Sequence, residues 1–492
     1  MNFNKKKIYL DLQSISKVDL NKYFKDFKWP VNWFHFIMLE SEIKKVLNNY
    51  IKNSIHRDLF VINYKLFIEY TNFIYSLRLL SFQDNTELAI SKDNQYLISI
   101  RDNGIPEKPI INFPDLDISK QSFKEKIYKY KRILVDNDFS LNKILKNRVY
   151  TLKESRIDNT INHLKSIKNK SVYPLNFHDF YNKSNAHMES KKKLNELENN
   201  VINLIEDISK VSEKFDVVLN DNQKKYLSNL TYKLFHKSYA ALLNIISGLN
   251  NNKIDLYIGC NRNYYSRIFS VAVRKIGGKV HGFKHGEPFN YNNDLTSWLD
   301  LQLCDYWYEY NDVGVNNMEQ LIKQFPPPNN NKFKIRKMNN SVFKNFNAKK
   351  INKNNKKIIF VGNCYQREAV SSATGLFPIL QLYVEISLIK RMQSSGYKII
   401  YCSHPGNDKI VNIIFKKFFK DKKFEISNNS FENKIDSTDA IAYYYPYTST
   451  FLTSLKSNKS IYYFDLGLRD LAIDSDEYIK KNFLIFNTNL IK

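Results

Sequence analysis

Two Rossmann-like α/β halves, the first elaborated with many helices, are predicted by three features of this 492-residue sequence. Short apolar runs alternate with amphipathic segments from Lys357 to Phe464, and one β-α-β pattern stands at Lys253–Phe283. Apolar residues at three- and four-residue spacing fill much of the first 250 positions. Strand–helix alternation indicates a doubly wound parallel sheet, and the 3.6-residue period indicates helices packed by one face.

The elements follow in order. A short strand is expected around Lys7–Leu12. Trp33–Leu80 reads as helix, with Phe34, Ile37 and Met38, then Leu66, Phe67, Tyr70, Phe73 and Ile74, on the apolar stripe. Gln95–Arg101 (QYLISIR) reads as a strand before the turn DNGIPEKP, and Ser122 to about Lys170 reads as basic helix. Two or three further helices fill 188–248, including LNELENNVINLIEDISKVSEKF and Tyr226–Leu249. Then come a strand at Lys253–Ile258, a helix at Tyr264–Ile276, a strand at Lys279–Phe283 and a strand-like piece at Leu303–Glu309.

Phe325–Lys357 opens on Pro326, Pro327 and Pro328 and carries ten Lys or Arg with no acid, the composition of a solvated linker. Beyond it, strands are expected at Lys357–Gly362, Tyr397–Cys402, Phe424–Ile426, Ala440–Tyr444 and Ser460–Phe464. Helices are expected at Pro378–Ser394, Lys409–Phe419 and Phe451–Lys456. The expected division is 1–330, 331–356 as basic linker, 357–470 as the second domain, and 471–492 as a tail or return helix.

Composition limits the function classes. Apolar residues at 43 % and aromatics at 14 % exclude a disordered or collagen-like chain, and the net charge of +26 favours an anionic partner. The four cysteines (Cys260, Cys304, Cys364, Cys402) form no C-x-x-C pair, which speaks against a zinc or disulfide framework. No apolar run is long enough to span a membrane, so a cytoplasmic protein, peripheral on a membrane face, is expected. About sixty asparagines read mainly as codon bias.

In open α/β sheets ligands sit beyond the carboxyl ends of strands, and three polar clusters fall there. His285-Gly286-Glu287-Pro288 supplies an imidazole and a carboxylate two residues apart, with Gly286 allowing a close backbone approach. Ser403-His404-Pro405-Gly406 places a histidine between a strand end and a helix N-terminus, where a phosphate is favoured. Thr448, Ser449 and Thr450 either cap a helix or cradle a phosphate. Arg262 and Arg367 follow strands and can face the same cleft, whereas Asp439 reads as structural. The basic amphipathic stretch Lys409–Lys423 either covers the sheet or meets a membrane. The chain holds no G-x-G-x-x-G, Walker A, H-E-x-x-H or G-x-S-x-G motif.

An HG after a strand of the first half, an HP after the second strand of the second half and a Ser/Thr turn after its fourth resemble a known set, over roughly 253–470. It is that of the GT-B glycosyltransferases of bacterial surface polysaccharide assembly, in particular the capsule and lipopolysaccharide enzymes that use CMP-linked Kdo, sialic acid or related nonulosonates. The resemblance implies a GT-B-like fold, two Rossmann-like domains facing a cleft, and an inverting, metal-independent transfer with no cofactor besides the CMP-sugar donor. His404, Pro405, Thr448, Ser449 and Thr450 would hold the donor phosphate, and His285 with Glu287 would supply the general base. A glycan or lipid-linked glycan acceptor and an anionic inner-membrane surface would be the partners, with no nucleic acid.

The CDP-glycerol and CDP-ribitol phosphotransferases share a similar layout. However, their Thr-Asp-Tyr-Ser-Ser is split here, with AIAYYYPY between Thr438-Asp439 and Thr448-Ser449. HGEP also stands where bacterial sialyltransferases carry paired acids before glycine. Two readings from other classes are a basic nucleic-acid-binding protein, motivated by the charge and the aromatics, and an inactive GT-B scaffold.

Overall fold

The computed structural model describes residues 6–54, 56–84, 86–110, 123–137, 139, 147–152, 158–166, 170–175, 197–249, 253–259, 261, 263–284, 300–324, 333–339, 356–365, 370, 375–427, 430–445, 448–457, 459–467, 480 and 484–487. A parallel pair, β1 (Lys6–Tyr9) and β2 (Thr86–Ala89), stands apart from two six-stranded sheets. The first sheet contains β3 (Asn147–Leu152), β4 (Lys170–Leu175), β5 (Asp255–Ile258), β6 (Lys279–Phe283), β7 (Tyr306–Glu309) and β8 (Lys334–Lys337), in the order β4-β3-β5-β6-β7-β8. The second contains β9 (Lys357–Val361), β10 (Lys398–Cys402), β11 (Phe424–Ile426), β12 (Ala440–Tyr443), β13 (Ser460–Asp465) and β14 (Leu484–Asn487), in the order β11-β10-β9-β12-β13-β14.

Every described pairing is parallel. Numbered within its own sheet, the second half has the strand order 3-2-1-4-5-6 of a Rossmann sheet, and the first has the flavodoxin-like order 2-1-3-4-5-6. The expected α/β class with two Rossmann-like units is therefore present. In the second half the strand direction of progression reverses between β9 and β12, and the crevice there lies beyond Val361 and Tyr443.

The central strands are apolar runs because a parallel sheet is covered on both faces: Ile358, Ile359, Phe360, Ile399, Ile400, Ala440, Ile441 and Ala442 are fully buried. The helix Pro378–Ser394 is apolar nearly all round, since it packs inside the molecule. Trp29 packs against Phe377 (ring centroids 5.3 Å apart) and Phe27 against Tyr383 (4.7 Å), and the Val370 N–H donates to Asn72 Oδ1 (2.8 Å). The same helical assembly reaches the first half, where Arg267 Nε donates to the Val61 carbonyl (2.7 Å) and the Tyr264 hydroxyl to Ser238 Oγ (3.0 Å). The helices of the first 250 residues thus touch both halves.

Several elements differ from expectation. QYLISIR is a helix, Gln95–Asn103: Asn94 accepts from the Leu97 N–H (3.1 Å), Gly104 closes it at φ +74°, and Tyr96, Leu97 and Ile100 form one buried face. The basic stretch Ser122–Lys170 holds a helix, Phe123–Asp136, but also β3. Lys334–Lys337 (KIRK), inside the expected linker, is the charged edge strand β8, and Leu484–Asn487, inside the expected tail helix, is the edge strand β14. Asparagine also does structural work: Asn94, Asn220 and Asn263 each cap a helix.

Candidate functional site

The crevice between β9 and β12 is built around one carboxylate. Glu385, fully buried on the helix Pro378–Ser394, accepts four hydrogen bonds. Tyr444 Oη (2.6 Å) and the Asn363 N–H (3.2 Å) donate to Oε1; Tyr401 Oη (2.7 Å) and Tyr365 Oη (2.9 Å) donate to Oε2. Tyr365 and Asn363 follow β9, Tyr401 belongs to β10, and Tyr444 follows β12. One side chain therefore ties three adjacent strand ends to the helix behind them. Burial raises the Glu385 pKa, opposed by the bonds from Tyr444, Tyr401, Asn363 and Tyr365.

The loop after β10 is tied to the loop after β9 by Asn407. Its Nδ2 donates to the Asn363 carbonyl (3.0 Å) and Ser403 Oγ (3.1 Å), and its Oδ1 accepts from the Tyr365 N–H (2.8 Å). Gly362 lies directly under the Tyr401 hydroxyl, where a Cβ would overlap it. The loop is therefore fixed from both sides.

On this base His404 stands exposed. Its Nδ1 accepts from the Gly406 N–H (3.0 Å), which places the proton of the neutral ring on Nε2. Burial of part of the ring lowers its pKa, so the neutral form prevails at pH 7. A neutral imidazole with Nε2–H as donor suits a phosphate or sugar oxygen. Pro405 continues the same exposed turn.

Two strand spacings away, about 10 Å along the sheet, lies the turn after β12. Thr448 caps the helix Ser449–Lys456: its Oγ1 accepts from the Phe451 N–H (3.3 Å) and lies 2.6 Å from Thr450 Oγ1. The capping reading of this cluster is thus realised, and the remaining N–H groups of the first turn point out of the helix end beside the crevice. Asp439, at the opposite end of β12, accepts from the Lys356 and Lys357 N–H groups (2.9 and 2.8 Å), which hold its pKa down and confirm a structural role.

His285, Gly286, Glu287, Arg262 and Arg367, together with the side chain of Ser449, lie outside the described residues. The sequence reading missed Glu385, the three tyrosines and Asn407. The available signal was a lone acid in the apolar helix PILQLYVEISLIK, since a buried carboxylate requires donors. The basic helix Lys409–Phe418 covers the second sheet through Val411, Ile414 and Phe415, and leaves Ile413 exposed.

No protein-family model matches the chain, and no curated protein matches it. Similar solved structures include the GtfA/B complex, 10 % identical over 52 % of this chain and 50 % of that one, with a TM-score of 0.32. TarM is 10 % identical over 51 % of this chain and 49 % of its own (TM-score 0.30). The UDP-GlcNAc 2-epimerase of Methanocaldococcus jannaschii, in complex with UDP-GlcNAc and UDP, is 9 % identical over 69 % and 89 % (TM-score 0.36). The chain spans about half the length of the first two. Likeness this distant bears on neither activity nor substrate.

Proposed function

We propose that this chain is an inverting glycosyltransferase that moves an acidic sugar from a CMP-linked donor to a glycan or lipid-linked glycan. The observation that carries the reading is the Nε2–H donor of His404, set at a strand end of a 3-2-1-4-5-6 sheet, two strands from the capped helix N-terminus at Thr448. A CMP-linked donor laid across β10, β9 and β12 meets a neutral imidazole at one end and helix N–H groups at the other, and its departing phosphate is received at one of these two ends. Neither group needs a metal to stabilise the leaving phosphate. His285, oriented by Glu287, is the proposed base that takes the acceptor hydroxyl's proton, and Arg262 and Arg367 are the proposed cleft cations. The net charge of +26 suits acidic substrates and an anionic membrane surface.

A thermal-shift series with CMP, CDP, UMP, UDP, GDP and short DNA, on wild type and His404→Ala, tests the reading. Selective stabilisation by CMP or CDP that His404→Ala loses supports it, and CMP-sugar turnover against CDP-glycerol turnover then separates sugar transfer from polyol-phosphate transfer. Stabilisation by UDP or GDP overturns the cytidine donor. A response to DNA alone overturns the transferase.

A further inference from the structure

A second cavity, of about 380 Å³, opens on the face of the first sheet and is independent of the crevice above. Its strand residues are Asp255 and Tyr257 of β5, Lys279 and His281 of β6, Tyr306 and Tyr308 of β7, and Arg336 and Lys337 of β8, with His163 and Asn339 beside them. Three of these are the first residues of their strands and Lys337 is the last of β8, so the cavity runs along the face of the first sheet, whereas the nucleotide is placed at strand ends of the second. Its volume is that of a small-ligand site.

The floor is a rack of planar groups. In-register pairing puts Tyr257, His281 and Tyr306 side by side on β5, β6 and β7. The Tyr257 and His281 rings stack at 4.1 Å with planes 8° apart, and His281 and Tyr306 stack at 4.7 Å with planes 12° apart. The Arg336 guanidinium ends the row, 4.5 Å from the Tyr306 centroid.

Plates stacked along the sheet turn their edges to the cavity, and the polar atoms of those edges are phenol, imidazole and guanidinium groups. Tyr308 adds a hydroxyl 3.2 Å from His281 Nδ1, and Tyr257, His281 and Tyr308 are all more than nine-tenths buried.

Charge at the rim is predominantly positive. Lys337 is paired with Asp312 (2.6 Å), Lys279 lies 4.0 Å from Asp305, and Asp255 lies 4.0 Å from His281 Nε2. Arg336 has no carboxylate partner among the described residues. Held against Tyr306 and in register with Tyr308 on the neighbouring strand, its fork is positioned for an oxyanion. An all-parallel sheet is ordinarily covered on both faces, yet here Lys279 and Arg336 are exposed on this face.

We propose that this cavity is a binding site for a sugar ring bearing an oxyanion, a sugar acid or a sugar phosphate. Arg336 takes the anionic group, and the edges of Tyr257, His281, Tyr306 and Tyr308 take the ring hydroxyls. The proposal stands on the cavity alone and does not depend on the transferase reading.

Calorimetric titration at low salt with glucuronate, glucose 6-phosphate, glucose and inorganic phosphate tests it, on wild type, Arg336→Gln, Lys279→Gln and His404→Ala. Arg336 and Lys279 are exposed, so both variants are expected to fold, which circular dichroism verifies. The expected result is binding of glucuronate or glucose 6-phosphate, with the better of the two identifying the anion. Affinity for that ligand is expected to fall about tenfold or more in Arg336→Gln, to weaken in Lys279→Gln and to stay unchanged in His404→Ala. Failure of both anionic sugars to bind at millimolar concentration overturns the proposal, as does equal affinity in Arg336→Gln. Equal affinity for glucose overturns the role of the anion, and equal affinity for inorganic phosphate overturns the role of the ring. Loss in His404→Ala with Arg336→Gln unaffected moves the ligand to the other crevice.

Discussion

The Tyr401 hydroxyl donates to Glu385 Oε2 over 2.7 Å, between the second strand of the second sheet and the helix behind it. With Tyr365, Tyr444 and the Asn363 N–H it completes four bonds to one buried carboxylate. Glu385→Gln leaves a single acceptor oxygen and turns an amide N–H₂ toward phenols that were donating. We expect a loss of roughly 2–4 kcal/mol, read as a lower urea midpoint at unchanged slope.

The pH dependence of that loss has a definite sign. Burial raises the folded pKa of Glu385 above its ordinary 4.5, so the folded chain binds the extra proton. This group's contribution is therefore fully present below about pH 4.5 and declines as pH rises through the raised value. Stability differences between wild type and Glu385→Gln, measured at several pH values upward from 4, should move in that direction. A difference that is flat or grows with pH would show that the carboxylate is ionised throughout.

His163 has the opposite behaviour. It is buried on the helix Asp158–Ser166, its Nδ1 accepts from the Asn339 N–H (3.0 Å), and desolvation lowers its pKa to about 4. The unfolded chain then takes up the proton first, so stability is present above about pH 6.5 and is lost as pH falls toward 4. The loss amounts to roughly 2–3 kcal/mol at the acid end. His163→Gln should flatten the wild-type decline in denaturant midpoint between pH 7.5 and 5.

Gly362→Ala tests the coupling between packing and site. The added methyl overlaps the Tyr401 hydroxyl, so either the β9 loop or the Tyr401–Glu385 bond must move. We expect a cost of about 1–3 kcal/mol and a smaller thermal shift with nucleotide. Full stability together with a full nucleotide response would mean that the loop adjusts without disturbing the crevice.

How much of this was legible in the sequence depends on where each element sits. The central strands KIIFV, KIIYC and AIAY are continuous apolar runs and were readable as such. Of the misread or missed strands, β4, β8 and β14 are sheet edges, while β3 lies inside the first sheet within a stretch whose basic residues read as helix. An edge strand need not satisfy both rows of backbone groups, so β4 tolerates Pro174 and β8 carries three cations in four residues, erasing the apolar signal. His404 and Thr448 were visible as strand-end residues. Glu385 was not, because its four donors come from four separate positions that only the strand order β10-β9-β12 brings together.

Thr448 separates a cap from a ligand contact. Its Oγ1 accepts from the Phe451 N–H, so Thr448→Ala should cost about 0.5–2 kcal/mol whether or not a phosphate binds there. Thr448→Asp keeps an acceptor at the cap and favours the helix dipole, so its melting temperature should stay near that of wild type. The same carboxylate occupies the place proposed for the donor phosphate and repels it. If the helix end serves the nucleotide, Thr448→Asp loses the CMP or CDP shift while remaining folded, and Thr448→Ser retains both shift and stability. A Thr448→Asp protein with an undiminished nucleotide shift would confine this residue to capping and leave the phosphate to His404.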